Sequence, residues 1–131
     1  MREALRARLL ADSGVAALVG DRVSWAARPR AGALPAIALH MISAERQYAL
    51  GGSSGLVRSR VQADCWGLTY AAATKVARAV LADLSGLRDA AMRVQGTFAV
   101  DERDLVDEEG SGASEILYRV SLDFMIWHEG T

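Results

Sequence analysis

His40, Cys65 and His128 are the side chains best suited to hold a metal or act as base or nucleophile, and they stand far apart in the sequence. A structural zinc site wants four ligands, commonly in close pairs, and no such pairing is present. His40 lies in an apolar run and reads as a core or interface histidine, whereas His128 reads as solvated. Cys65 alternates with Val61 and Ala63 on a small, inward strand face, where a thiol behaves as a compact hydrophobe without a lowered pKa. Ser53 and Ser54 lack the G-x-S-x-G setting of a nucleophile elbow. Gly51, Gly52 and Gly55 precede a strand and no lysine follows them, so the helix amino terminus of a phosphate loop is missing and a flexible tip is expected. Asp101, Glu102, Asp104, Asp107, Glu108 and Glu109 stand against Arg103 alone, at a spacing unlike an EF-hand. Like charges at that density predict a solvated hairpin, with docking of a basic partner as the functional alternative. These residues point away from an enzyme and call for no cofactor.

The elements that position them follow from periodicity. Arg2 to Asp12 reads as a helix with Leu5, Leu9 and Leu10 on one stripe, broken by Ser13-Gly14, and Val15 to Val19 adds a helical turn ending at Gly20. A short strand is expected around Arg22 to Trp25. Ala26 to Pro35, with Pro29, Gly32 and Pro35, is expected to be a loop that carries Arg28 and Arg30. Ala36 to Ala44 is apolar on both faces, as in a strand covered on both sides.

The return run then alternates. Val57, Ser59, Val61, Ala63 and Cys65 face one way, and Arg58, Arg60, Gln62, Asp64 and Trp66 the other. Thr69 caps a helix from Tyr70 to about Leu84, stopped at Gly86. Strands near Ala91 to Asp101 and Ser114 to Trp127 close the chain. Arg119 and Asp123 alternate on the last strand as Arg60 and Asp64 do, so opposite charges would pair if the two strands were neighbours. The expected fold is α+β: a mostly antiparallel sheet of four to five strands with two helices on one face, in the order α-β-β-β-α-β-β.

The 131 residues are 51% hydrophobic and 24% charged, which fits one soluble globular domain spanning 1–131. Fifteen basic residues against 16 acidic give no overall field favouring nucleic acid or an anionic membrane. Arg22, Arg28, Arg30, Arg58 and Arg60 leave DNA binding as a weaker reading. The single cysteine excludes an intramolecular disulfide, and no apolar run approaches the roughly 20 residues needed to span a bilayer. The opening segment lacks the apolar core of a signal peptide, so synthesis in a reducing cytosol is expected.

Three stretches carry a resemblance: GVAALVGDRV (Gly14 to Val23), LPAIALHMIS (Leu34 to Ser43) and RVQADCWGLTYAAATKVARAVLADLSG (Arg60 to Gly86). With the hairpin between the last two they cover most of residues 4 to 86, and the sequence resembles the phage tail completion, or tail terminator, family. The resemblance implies a non-catalytic virion subunit that forms a ring, usually of six copies, at the head-proximal end of the tail tube. That ring would stop tube polymerisation and offer the joining surface for the head. The implied partners are further copies of itself, the major tail tube protein and a head–tail connector or head completion protein. DNA would be met only in the lumen and no membrane is involved. The implied location is the neck end of the virion tail, with assembly in the host cytoplasm. A head-completion protein of the adjoining layer, or a small cytosolic adaptor, are the alternatives.

The family brings no functional residues to transfer, so patterning nominates the contacts with neighbours. They are Arg28 and Arg30 in the Ala26 to Leu34 loop, Gln47, Tyr48, Gly51, Gly52, Ser53 and Ser54 in the hairpin, and Arg58, Arg60 and Asp64 on the polar strand face.

Overall fold

The computed structural model describes residues 1–27, 33–108 and 116–130. The chain opens with two helices, α1 (Arg2–Ala11) and α2 (Ser13–Val19), where one helix and a turn were expected. The break falls at Asp12 and not at Ser13-Gly14. Asp12 is extended, and its carboxylate accepts the Val15 N–H at 3.0 Å, so Ser13 and Gly14 become the first turn of α2. Leu5 and Leu9 of α1 and Val15 and Val19 of α2 are buried.

Five strands follow with one further helix: β1 (Val23–Trp25), β2 (Ala36–Ala49), β3 (Gly52–Gly67), α3 (Tyr70–Leu84), β4 (Val94–Glu108) and β5 (Ile116–Glu129). They form one sheet in the order β1-β2-β3-β5-β4. The fold is α+β and the sheet is mostly antiparallel, with two departures from expectation. β1 pairs with β2 in parallel, and three helices are present instead of two. β3 and β4 both run antiparallel to β5, so α3 joins two parallel strands with β5 inserted between them.

The two hairpins are longer than their apolar patterns predict. β2 continues to Ala49, and Ala49 pairs with Gly52 across the two-residue turn Leu50-Gly51. Most of the expected Gly/Ser loop is therefore strand. The acidic run expected as a solvated hairpin is the second half of β4, paired with β5 as far as Glu108 opposite Ile116, with Asp101, Glu102 and Asp104 exposed. Backbone pairing with an apolar partner strand outweighs the poor strand propensity of Asp and Glu there.

α3 matches its predicted bounds. Thr69 Oγ1 accepts the Ala72 N–H at 3.1 Å, and Ala73, Val76, Ala77, Val80 and Leu84 are buried while Tyr70 is not. The helices pack on the sheet face that carries Ile37, Leu39, Val61, Cys65, Leu122, Phe124 and Ile126, and these side chains make one core. Where β3 meets α3 the two backbones approach closely. A Cβ on Gly67 would sit 2.6 Å from the Ala73 nitrogen, which leaves no room for any other residue.

Candidate assembly surfaces

On the opposite face no helix among the described residues covers the sheet, yet Asp64, Ser121 and Asp123 are buried there. The strand register explains it. Gln62 is opposite Asp123 and Asp64 opposite Ser121, so carboxylates and their donors share one row. Asp64 Oδ1 accepts from Ser121 Oγ at 2.6 Å and Gln62 Nε2 at 2.8 Å. Its Oδ2 meets Arg119 at 3.2 Å and His40 Nε2 at 3.1 Å. Asp123 takes both Arg60 Nε and NH2, at 3.0 and 2.8 Å, and Arg103 at 3.2 Å. Arg103 also reaches Gln62 at 3.3 Å, which links the two acids into one network. Long arginine stems lie over the carboxylates and shield them, an arrangement open to amphipathic side chains.

The nominated contact residues divide into groups. Arg60 and Asp64 both belong to this network, and Asp64 has its oxygens satisfied within the subunit. Arg58 lies further along the face, paired with Glu45 at 2.8 Å and stacked over Trp127 at 5.7 Å. Gln47, Tyr48, Gly51, Gly52, Ser53 and Ser54 gather at the closed end of the β2–β3 hairpin, where Ser54 Oγ donates to the Gln47 carbonyl at 3.0 Å. Arg28 and Arg30 lie outside the described residues.

That hairpin exposes apolar side chains. Tyr48 is 72% exposed, Ile42 50%, and Leu50 entirely. Ile42 is pushed out by an irregularity in the pairing between Met41 and Ser43. The expectation that Ala36 to Ala44 is covered on both faces holds only to Leu39, because β1 is too short to follow β2 further. Beyond Leu39 the outer edge of β2 has no strand partner among the described residues, and an unpaired edge is a template for another chain.

The two histidines sit in different settings. His40 is half-buried against Asp64, whereas His128 is buried, contrary to the solvated position expected for it. β5 runs two residues past Trp127, so the same alternation that buries Phe124 and Ile126 carries His128 inward. Extending the period by one step would have found it. With its proton on Nδ1, His128 donates to the Glu129 carbonyl at 3.2 Å and accepts from Ser59 Oγ through Nε2 at 2.8 Å. Burial lowers its pKa from the ordinary value, and the nearby positive charge of Arg46 adds to the shift. Burial pushes the Cys65 thiol well up, with Asp64 contributing. Among the described residues no group of three or more His, Cys, Asp or Glu is arranged to hold a metal ion.

A family model described as tail completion protein gp17 matches residues 3–129. The chain belongs to that family. A tail completion protein is a structural component of a phage-type tail, and the coarse part of the sequence resemblance stands on this match. Among solved structures, a chain of the virion of a native gene transfer agent particle shares the fold at a TM-score of 0.68 and 23% identity. That alignment covers 99% of this chain and 95% of the other. A search of curated proteins gave no match. No helix among the described residues of this tail completion protein is long and apolar enough to cross a membrane.

Proposed function

We propose that this tail completion protein is a non-catalytic subunit that closes into a ring, of six copies, on the head-proximal end of the tail tube. The ring ends tube polymerisation and presents the joining surface to the head connector, with DNA passing through its lumen. One observation carries the reading: the two hairpins close at opposite ends of the sheet and differ in chemistry. Leu56 pairs with Glu129 at one end and Gly67 with Tyr118 at the other, so the β2–β3 turn and the Glu108–Ile116 end of the β4–β5 pair lie at opposite ends of the sheet. The first exposes Tyr48 and Leu50, and the second carries the acidic run. A cap between two different assemblies needs two unlike ends. The family match and the fold shared with a chain of a gene transfer agent virion support a place in such a particle.

The test is the double substitution Tyr48→Ser/Leu50→Ser. Both side chains are exposed, so the thermal midpoint should stay within about 0.5 kcal/mol equivalent of the parent. Particles assembled with this variant should carry tails of abnormal length or tails that do not join heads. Normal-length tails joined to heads at the parental frequency would sink the assignment of this tip.

A further inference from the structure

We infer that a cleft centred on Arg93 receives the acidic second half of β4 of a second copy of this chain. Three adjoining concavities share Arg93 and Glu129 or lie against them, at the end of the sheet where β5 finishes. Arg2, Arg46, Arg88 and Arg93 line them, against Glu129 as the one lining carboxylate. Arg93 is exposed, and among the described residues its guanidinium pairs with that Glu129 alone, at 3.9 Å, the outer limit of an ion pair. Its backbone is left-handed, at φ 59°, a conformation that arginine adopts at a cost and that is concentrated at binding sites. Arg2 and Arg88 are exposed beside it.

The occupant is chosen by charge. Residues 101 to 115 hold seven of the sixteen acidic side chains and one of the fifteen basic ones, so the rest of the chain carries fourteen basic against nine acidic. The protein is nearly neutral only because two opposite excesses cancel. Glu102 and Asp104 on β4 are exposed, and among the described residues no arginine forms a hydrogen bond or ion pair with them. Asp104 accepts only the Tyr70 hydroxyl, at 2.8 Å. The acidic half of β4 runs to the Glu108–Ile116 end of the sheet, opposite the cleft, so one copy cannot satisfy itself. A contact between the two must join different patches on different copies, as a heterologous assembly requires. Complementary potentials of this kind select orientation and speed encounter. The inference deepens the ring reading, and rests on it, by naming which surfaces meet.

Disulfide trapping is clean here because Cys65, the one native cysteine, is buried. Arg93→Cys and Asp104→Cys proteins are mixed at low salt under mild oxidation. The expected product is a mixed dimer exceeding both homodimers together, and it should be lost at about 0.5 M salt, where screening is short-ranged. Trapping each variant only with itself, or a mixed product indifferent to salt, overturns the contact. Electron microscopy of unmodified protein on tube ends separates the two levels. Closed rings without the Arg93–Asp104 cross-link would leave the ring standing and remove this contact, whereas absence of both would remove both.

Discussion

The two faces of the sheet are closed off from water by unlike means. Under the helices, Leu122, Phe124 and Ile126 of β5 are buried by other apolar side chains. One residue away in each case, Ser121 and Asp123 are buried with no helix above them, under arginines anchored to Asp64 and Asp123. The first face gains from removal of apolar area from water, with little demand on direction. The second relies on hydrogen-bond geometry and leaves no carboxylate unpaired, so it fixes the register of β2, β3, β5 and β4 against one another. A strand slip of one residue would exchange the two faces and ruin both.

The comparison breaks most visibly at Asp64. Its replacement by alanine takes the buried carboxylate away from Ser121, His40 and Arg119, and about 3–5 kcal/mol of unfolding free energy should be lost. That overlaps the loss expected for Leu122→Ala on the helix face, about 2–5 kcal/mol from transfer and cavity terms. The mechanisms part in the double variant. Asp64→Ala/Arg119→Met removes both charges, so it should be less damaging than Asp64→Ala alone, by urea unfolding. If the double variant is as unstable as the sum of its singles, the polar face is not a coupled network.

Much of this contrast was legible from the sequence. The strict alternation from Val57 to Trp66, and the matching positions of Arg119 and Asp123, anticipated which side chains face which way and that charges would pair across β3 and β5. What stayed hidden was whatever depends on distant partners. Asp64 reads as a surface charge because nothing near it in sequence announces His40, or that Arg103 of β4 reaches the neighbouring Gln62 and Asp123. The extent of β2 and β4 was hidden for a related reason. Their outer halves are polar or exposed, and only pairing with β3 and β5 holds them as strands. Of the surfaces proposed to meet neighbours, the hairpin tip is nominated by the sequence, whereas Arg93 is not, since its left-handed backbone and its place among three concavities arise from the fold.

A smaller effect sharpens the comparison at its boundary, where a polar pair lies on the apolar face. His128 and Ser59 occupy the helix-side end of β5 and β3, and burial holds His128 below its ordinary pKa. The folded protein then keeps the ring neutral while the unfolded chain takes up a proton near pH 6.5. The unfolded state binds more protons below that pH, so His128 makes stability fall as pH drops, by at most about 1.4 kcal/mol per pH unit. Asp83 acts in the opposite sense at lower pH, because burial raises its carboxyl and the folded form takes its proton first. The informative quantity is therefore the difference between the parent and His128→Gln in urea midpoint from pH 7.5 to 5.5. The parent should lose stability more steeply, and parallel curves would show that the Ser59–His128 pair does not keep the ring neutral.

The smallest effect belongs to Arg58, at the outer margin of the polar face. It pairs with Glu45 and stacks over Trp127, as Arg119 pairs with Asp64 and stacks over Trp66, yet here both partners of the ion pair are exposed by more than a third. Solvent screens such a pair and holding two long side chains costs entropy, so Arg58→Ala should change stability by about 0–1 kcal/mol. The contrast with Asp64→Ala isolates burial as the variable, since the chemistry of the two contacts is nearly the same. A loss at Arg58 as large as that at Asp64 would mean that arginine over an aromatic ring, and not exclusion of water from the carboxylate, holds this face together. A near-zero result leaves Arg58 and Glu45 available to a neighbouring molecule at little cost to the fold, which is what a side chain on the joining surface of an assembling tail requires.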